Sequence, residues 1–267
     1  MPPAASSGLT ANPGSVSAVA VIPARYHSTR LPGKALADIV GRPMIEHVYR
    51  RAAAARSISS VLVATDDERI AAVVRAFGGD VRMTSAAHQS GTDRLAEVAR
   101  ELACDLVVNV QGDEPLIEPG MIDAAVSAFA GEPSLLMSSL RRRIEPDDTD
   151  AARNPNITKV VVDRDGYAMY FSRAPIPYAR AGSTPAAAWR HIGLYVYRRE
   201  CLLRLAALAP TALEQAEGLE QLRALEHGIR IQVVETSFDS IGVDTPEDLH
   251  RVRQRVQALH ASPVPNV

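Results

Sequence analysis

Arg25, Arg30 and Lys34 lie close together in the stretch Pro23-Ala-Arg-Tyr-His-Ser-Thr-Arg-Leu-Pro-Gly-Lys34, separated by small and turn-forming residues. A loop of this kind, directly after the apolar run Ala18–Pro23, lets backbone N–H groups and fixed cations converge on phosphate oxygens, which is the chemistry of a triphosphate cradle. For an arbitrary trio of cations a solvated basic loop is the simpler reading, and here the surrounding residues decide against it. Asp113 stands just beyond a second apolar run, Leu106–Val110, and is followed by Glu114 and Pro115. A carboxylate there can hold a divalent cation. Mg²⁺ needs only one or two protein carboxylates, because phosphates and water complete its octahedron. Asp244, in Gly242-Val-Asp-Thr-Pro-Glu-Asp248, is the natural partner, since it too ends a strand-like run ahead of a helix start. A cation between two such acids removes their repulsion; without one, a carboxylate would be forced to protonate.

Two further groups of residues can recognise a ligand. In His88-Gln-Ser-Gly-Thr-Asp-Arg94, Gly91 permits close backbone approach, and Ser90 or Thr92 can cap the helix that carries Leu95, Val98 and Leu102. In the second half, Arg173 ends Tyr170-Phe-Ser-Arg173, and strand alternation puts His191, Gly193 and Tyr195 on one face.

These residues need a frame that brings them to one edge. Short apolar runs at Ala18–Pro23, Ser60–Thr65, Val81–Thr84, Leu106–Val110 and Leu135–Leu140 alternate with helical patterns such as Ile45, Val48, Tyr49 and Ala52. The β-α-β-α order predicts an α/β fold with parallel strands, whose ligands bind at the carboxyl edge of the sheet. From Arg141 to about Thr158 the pattern dissolves into charge and Asp, Asn and Pro. Strands at Lys159–Val162 and Tyr167–Phe171 then flank an Asp-Gly turn, followed by a strand at His191–Tyr197, one helical run through Leu213, Leu219, Leu222 and Leu225, and a strand at Ile231–Glu235. The last helix has Thr245 as N-cap, Pro246 at its first position and Asp248 completing a capping box.

Composition removes whole classes of function. With 29 Lys plus Arg against 31 Asp plus Glu, a net charge of −2, no global positive field exists to hold nucleic acid or an anionic membrane surface. Two distant cysteines, Cys104 and Cys201, argue against a disulfide scaffold or a zinc knuckle and suit a reducing cytoplasm. No apolar stretch reaches membrane-spanning length. No G-x-G-x-x-G occurs, which sets aside a dinucleotide-dependent dehydrogenase. The Pro, Ala, Ser and Gly composition of residues 1–17 reads as a disordered tail, with a main domain over 18–257 and a short tail at 258–267.

Taken together, the motifs resemble those of the 3-deoxy-D-manno-octulosonate (Kdo) cytidylyltransferases, also called CMP-Kdo synthetases. The resemblance runs through 23–34, 88–94, Val108-Asn-Val-Gln-Gly-Asp-Glu-Pro115, 170–173, Arg190-His-Ile-Gly193, Leu219-Glu-Gln-Leu-Arg223 and 242–248. It implies a Rossmann-like nucleotidyltransferase fold with a mixed, mostly parallel sheet and a smaller embedded sugar-binding and dimerisation subdomain at about 155–215. It also implies the reaction of CTP with Kdo to give CMP-Kdo and pyrophosphate for lipopolysaccharide assembly, in the cytoplasm and in a homodimer. Carried over by motif, Ala24, Arg25, Ser28, Arg30, Lys34, His88, Ser90, Gly91 and Arg94 would meet the nucleotide, and Asp113 and Asp244 would ligate Mg²⁺. Gln111, Arg173, His191, Tyr195 and Glu217 or Glu220 would hold the sugar acid. Arg25, Lys34, Asp113 and Asp244 would carry the catalytic burden. A synthetase for a nine-carbon acid such as sialic acid is the nearest alternative. A regulator that binds nucleotide without turnover would not need to keep both aspartates. The Ala-rich segment Tyr178 to Trp189 and Phe238-Asp239-Ser240 depart from the pattern.

Overall fold

Short β-branched runs bounded by turn residues form the strands of one mixed sheet, and the amphipathic stretches between them form helices that cover it. The computed structural model describes residues 16–28, 30–88, 90–182 and 186–261. Strand β1 (Ala18–Ala24) is followed by a 3-10 turn at Lys34–Leu36, a small ribbon of β2 (Asp38–Ile39) and β3 (Arg42–Pro43), and helix α1 (Met44–Ala53). Next come β4 (Ser60–Thr65), α2 (Glu68–Ala76), β5 (Asp80–Met83), α3 (Gly91–Ala99), β6 (Leu106–Asn109), α4 (Pro119–Ser127) and β7 (Met137–Arg143). The second half adds α5 (Thr149–Arg153), a hairpin of β8 (Lys159–Val162) and β9 (Ala168–Ser172), β10 (Trp189–Arg198), α6 (Arg199–Ala206), α7 (Ala212–Glu217), α8 (Gln221–Glu226), β11 (Ile231–Glu235) and α9 (Pro246–Ala261).

The strand order is β11-β7-β10-β6-β1-β4-β5, with the β8–β9 hairpin joined to β10 through Arg190 and Lys159. Along that path every pair is parallel except those of β10, which runs against both β6 and β7. This is the mixed, mostly parallel α/β sheet expected from the sequence. One face is covered by Ile45 and Val48 of α1, Ile70 and Val74 of α2, and Ile122 and Ala125 of α4. The other is covered by Leu95 of α3, Leu202 of α6 and Leu222 of α8. A third small core joins Ile39 of β2 to Leu249 and Val252 of α9. Parallel register sets Val21 beside Asn109, so the loop after β1 and the turn after β6 leave the sheet at the same edge.

Several boundaries differ from the sequence reading. Strand β7 begins later than Leu135 and runs on through Arg141–Arg143, because all three arginines pair with β10 and Arg141 pairs with β11 as well. The single helical run expected through Leu213 to Leu225 is two helices, broken where Gly218 takes φ +62°. Helix α6, which the sequence pattern does not announce, packs Leu202 and Leu205 into the core. At the ends, Ser17 is part of the fold: its carbonyl accepts from Leu106 N and its N–H and hydroxyl donate to Asp105. Helix α9 continues to Ala261, past the expected domain end at 257. Residues 1–15 and 262–267 lie outside the described residues.

Candidate active site

Lys34 is the hub. Its Nζ donates to Asp113 Oδ2 at 2.6 Å, to Asp244 Oδ1 at 3.2 Å and to the carbonyl of Val243 at 3.1 Å. The two aspartates, one after β6 and one before α9, thus meet at a single cation, and Arg30 adds a second contact to Asp244 at 3.1 Å. Main chain fixes the approach, since Val243 N donates to the Asp113 carbonyl at 2.8 Å. Asp244 is further oriented by the helix cap: Asp248 accepts from the N–H groups of Asp244 and Thr245, and its own N–H donates to Thr245 Oγ1. This is the capping box expected from the sequence. Burial pulls the Lys34 pKa down, but the two carboxylates outweigh it and hold it above the ordinary lysine value. The ammonium is therefore charged at neutral pH.

Gly112 has a steric reason to be glycine. A Cβ there would lie 2.8 Å from the Pro23 carbonyl oxygen. We expect Gly112→Ala to push β1 and the Gln111–Asp113 turn apart and to lower stability by about 1–3 kcal/mol, read by thermal unfolding. Next door, burial raises the Glu114 carboxyl to about 7, against the hydrogen bond it accepts from Ser240.

A cleft of about 740 Å³ opens over this hub, lined by Ala24, Arg25, Ser28, Arg30 and Lys34 on one side and His88, Ser90, Gly91 and Arg94 on the other. All nine residues expected at a nucleotide thus surround one space. Their local bonds differ. Ser90 caps α3 by accepting from Asp93 N at 3.1 Å, and His88 is bonded to Glu97. Arg94 is buried and held by Thr84 and by Asp66 at 3.2 Å, so it braces the cleft wall. Arg25 has no ion-pair partner among the described residues.

A second cleft, of about 510 Å³, contains Gln111, Arg173, His191, Tyr195 and Glu220. It shares Gly91, Gln111, Glu220 and Asp244 with the first, so the two form one continuous groove. A bulge in β10 between Ile192 and Tyr195 shapes its floor, and Ser139 fills the bulge by bonding the carbonyl of Leu194 at 2.9 Å and His191 Nε2 at 2.8 Å. With the one hydroxyl proton directed at Leu194, Ser139 accepts from His191 Nε2–H, which leaves Nδ1 as the ring acceptor. Burial lowers the His191 pKa to about 3, so the imidazole is neutral at physiological pH, and burial drives the Tyr195 hydroxyl well upward. Unfolded histidine takes its proton near pH 6.5; the folded state cannot until about 3, so folding loses stability as pH falls through this window. Thermal unfolding between pH 7 and 5 should fall less steeply in His191→Asn than in the wild type.

The two acids expected at the sugar part company. Glu217 turns to Ser172 Oγ at 2.5 Å and to Arg173 N at 2.9 Å, and it does not line the cleft. Glu220 lines both clefts and accepts from Thr92 Oγ1 at 2.5 Å. Arg173 is held by carbonyls: Nε donates to Glu217 O at 2.7 Å and Nη1 to Pro155 O at 3.1 Å. Asn109 and Tyr197 also line this cleft and were not singled out from sequence, although the alternation through His191, Gly193 and Tyr195 continues to Tyr197. The unusual segment Phe238–Ser240 fastens the same region, since Asp239 pairs with Arg142 at 2.9 Å and Arg190 at 3.1 Å. Among the described residues no group of three or more His, Cys, Asp or Glu side chains forms a metal cage, and no helix is long and apolar enough to cross a membrane.

Residues 19–231 match the family model described as cytidylyltransferase. A 3-deoxy-manno-octulosonate cytidylyltransferase of Geobacter metallireducens is 56% identical over 247 residues, covering 89% of this chain and 96% of that protein. One from Solibacter usitatus is 53% identical over 238 residues, covering 89% and 94%. Among solved structures, a CMP:2-keto-3-deoxy-manno-octonic acid synthetase complexed with CTP matches with a TM-score of 0.86 at 45% identity, covering 91% of this chain and 99% of that one. A 4-diphosphocytidyl-2C-methyl-D-erythritol synthase of Anaerococcus prevotii, at 13% identity and a TM-score of 0.58, shares the fold. With the groove, its cationic loop and its paired aspartates on the same sheet edge, this chain belongs to the 3-deoxy-manno-octulosonate cytidylyltransferase family.

Proposed function

We propose that the protein transfers the cytidylyl group of CTP to Kdo, releasing pyrophosphate and giving the activated sugar acid. The observation that carries the mechanism is the meeting of Lys34, Asp113 and Asp244 where the two halves of the groove join. CTP lies in the half lined by the 24–34 loop and the start of α3, with Arg25, Arg30 and Lys34 on its phosphates. Kdo lies in the other half, its carboxylate directed to Arg173 and its hydroxyls to Gln111, His191, Tyr195 and Glu220. The anomeric hydroxyl of the sugar gives up its proton to solvent, and its oxygen forms the new bond to the α-phosphorus in line as the bond to the pyrophosphate oxygen breaks. Two anions must approach each other for this to happen, so fixed cations and aligned reactants supply most of the acceleration.

Asp113 and Asp244 would hold Mg²⁺. The donor set fits, because two carboxylates already share one cation and Mg²⁺ takes its remaining ligands from phosphate and water. When bound, the ion neutralises charge on the phosphates and lowers the pKa of an oxygen bound to it. In the same reading the protein works in the cytoplasm as a homodimer, joined through the subdomain at about 155–215, where Met169 is 65% and Tyr178 88% exposed. A panel assay tests the reaction: pyrophosphate release is expected with CTP, Mg²⁺ and Kdo together. Release with sialic acid and none with Kdo would overturn the assignment.

A further inference from the structure

We propose that Lys159 is a positioning residue for the sugar-acid half of the groove, its ammonium gathering three main-chain carbonyls and so fixing the wall that carries Arg173. This rests on the reading of that half as the Kdo site. Lys159 is fully buried (0% exposed), at the start of β8. In place of a carboxylate, its Nζ meets the carbonyl oxygens of Asn154 at 2.9 Å, Ile157 at 2.7 Å, and Arg173. An ammonium has three donors and no acceptor, so three carbonyls satisfy it completely.

The acceptors come from two separate segments, one just after α5 and one just after β9. Each segment faces the groove, through Asn156, Ile157 and Thr158 on one side and Arg173 on the other. Three carbonyl dipoles pointing at one spot repel unless a cation sits among them, and without Lys159 the segments would move apart. The same wall is tied to β10, because His191 N donates to the Thr158 carbonyl at 2.8 Å. Arg173 is then held from both directions: Lys159 takes its carbonyl, and Glu217 takes its N–H and, through main chain, its Nε. Stability alone is a weak reason to bury this charge, since apolar replacements of buried charged groups are often neutral or better. Placement of the Arg173 guanidinium is a reason that an apolar side chain could not serve.

The test uses the full-length protein with Lys159→Met, which keeps the length and loses the charge, and Lys159→Arg, whose planar fork cannot meet three converging oxygens. Both variants are expected to raise the KM for Kdo roughly 10-fold to 100-fold while leaving the KM for CTP unchanged. Amide hydrogen exchange, which needs no substrate, should quicken at 154–158 and 173–175 but not around 88–113. Unchanged KM for Kdo, equal increases for both substrates, or faster exchange spread over the whole chain would each overturn the proposal. So would a Lys159→Arg variant with wild-type values. Absence of wild-type turnover with Kdo would remove the proposed function instead, and the exchange pattern would still decide the role of Lys159.

Discussion

Asp113→Asn should turn over CTP and Kdo about 10²–10³ times more slowly than the wild type with every substrate saturating, the loss that follows removal of one preorganised electrostatic contact. Asparagine keeps the shape and the Val243 N–H to Asp113 carbonyl bond, which is main chain and indifferent to the side chain. What disappears is half the negative charge that Lys34 faces. The Lys34–Asp113 pair is partly solvent-exposed, with side chains 18% and 31% accessible, so its loss should cost only about 1 kcal/mol or less of folding stability. Calorimetric titration should still detect CTP. A variant that melts near the wild type, binds nucleotide and fails to turn over would locate Asp113 in the reaction; equal turnover would remove it from the site.

Lys34→Met should act as strongly, in the reverse electrostatic sense. Turnover should fall by about 10²–10³ and CTP should bind roughly tenfold more weakly, because a cation directed at phosphate is gone. The two aspartates would then keep Arg30, on Asp244, as their remaining cation. This leads to an outcome that separates Lys34 from the other two loop cations. In the wild type, Mg²⁺ added alone must compete with an ammonium already held by both carboxylates. In the variant that ammonium is gone, and only Arg30 still contacts Asp244. Mg²⁺ without nucleotide should therefore raise the melting temperature of Lys34→Met more than that of the wild type, whereas Arg25→Met should respond like the wild type. Equal Mg²⁺ shifts in all three proteins would show that Lys34 does not guard the aspartates.

Much of this site was legible in the chain because its parts are local. The cationic loop is one continuous stretch, the Thr245–Asp248 cap is written within four residues, and β-strand alternation puts His191 and Tyr195 on one face without knowledge of the rest of the fold. The β-α order of the first half likewise gave the sheet edge at which Arg25 and Asp113 meet. What could not be read depends on partners remote in sequence. Nothing near Glu217 or Glu220 says which of them faces the groove; Ser172 and the Arg173 N–H claim Glu217, and Thr92 meets Glu220. The extension of β7 into Arg141–Arg143 contradicts local polarity and follows from its pairing with Trp189–His191 of β10. Lys159 looks like any strand-edge lysine until three carbonyls are found around it.

The contact between Lys34 and Asp244 spans 210 residues, and it cannot form until the segment ahead of α9 has been made. In the mechanism we propose, a nascent chain with its central strands already paired would stay inactive until Asp244 has left the ribosome. A chain cut just ahead of Asp244 would still contain every strand of the sheet and would lack this carboxylate.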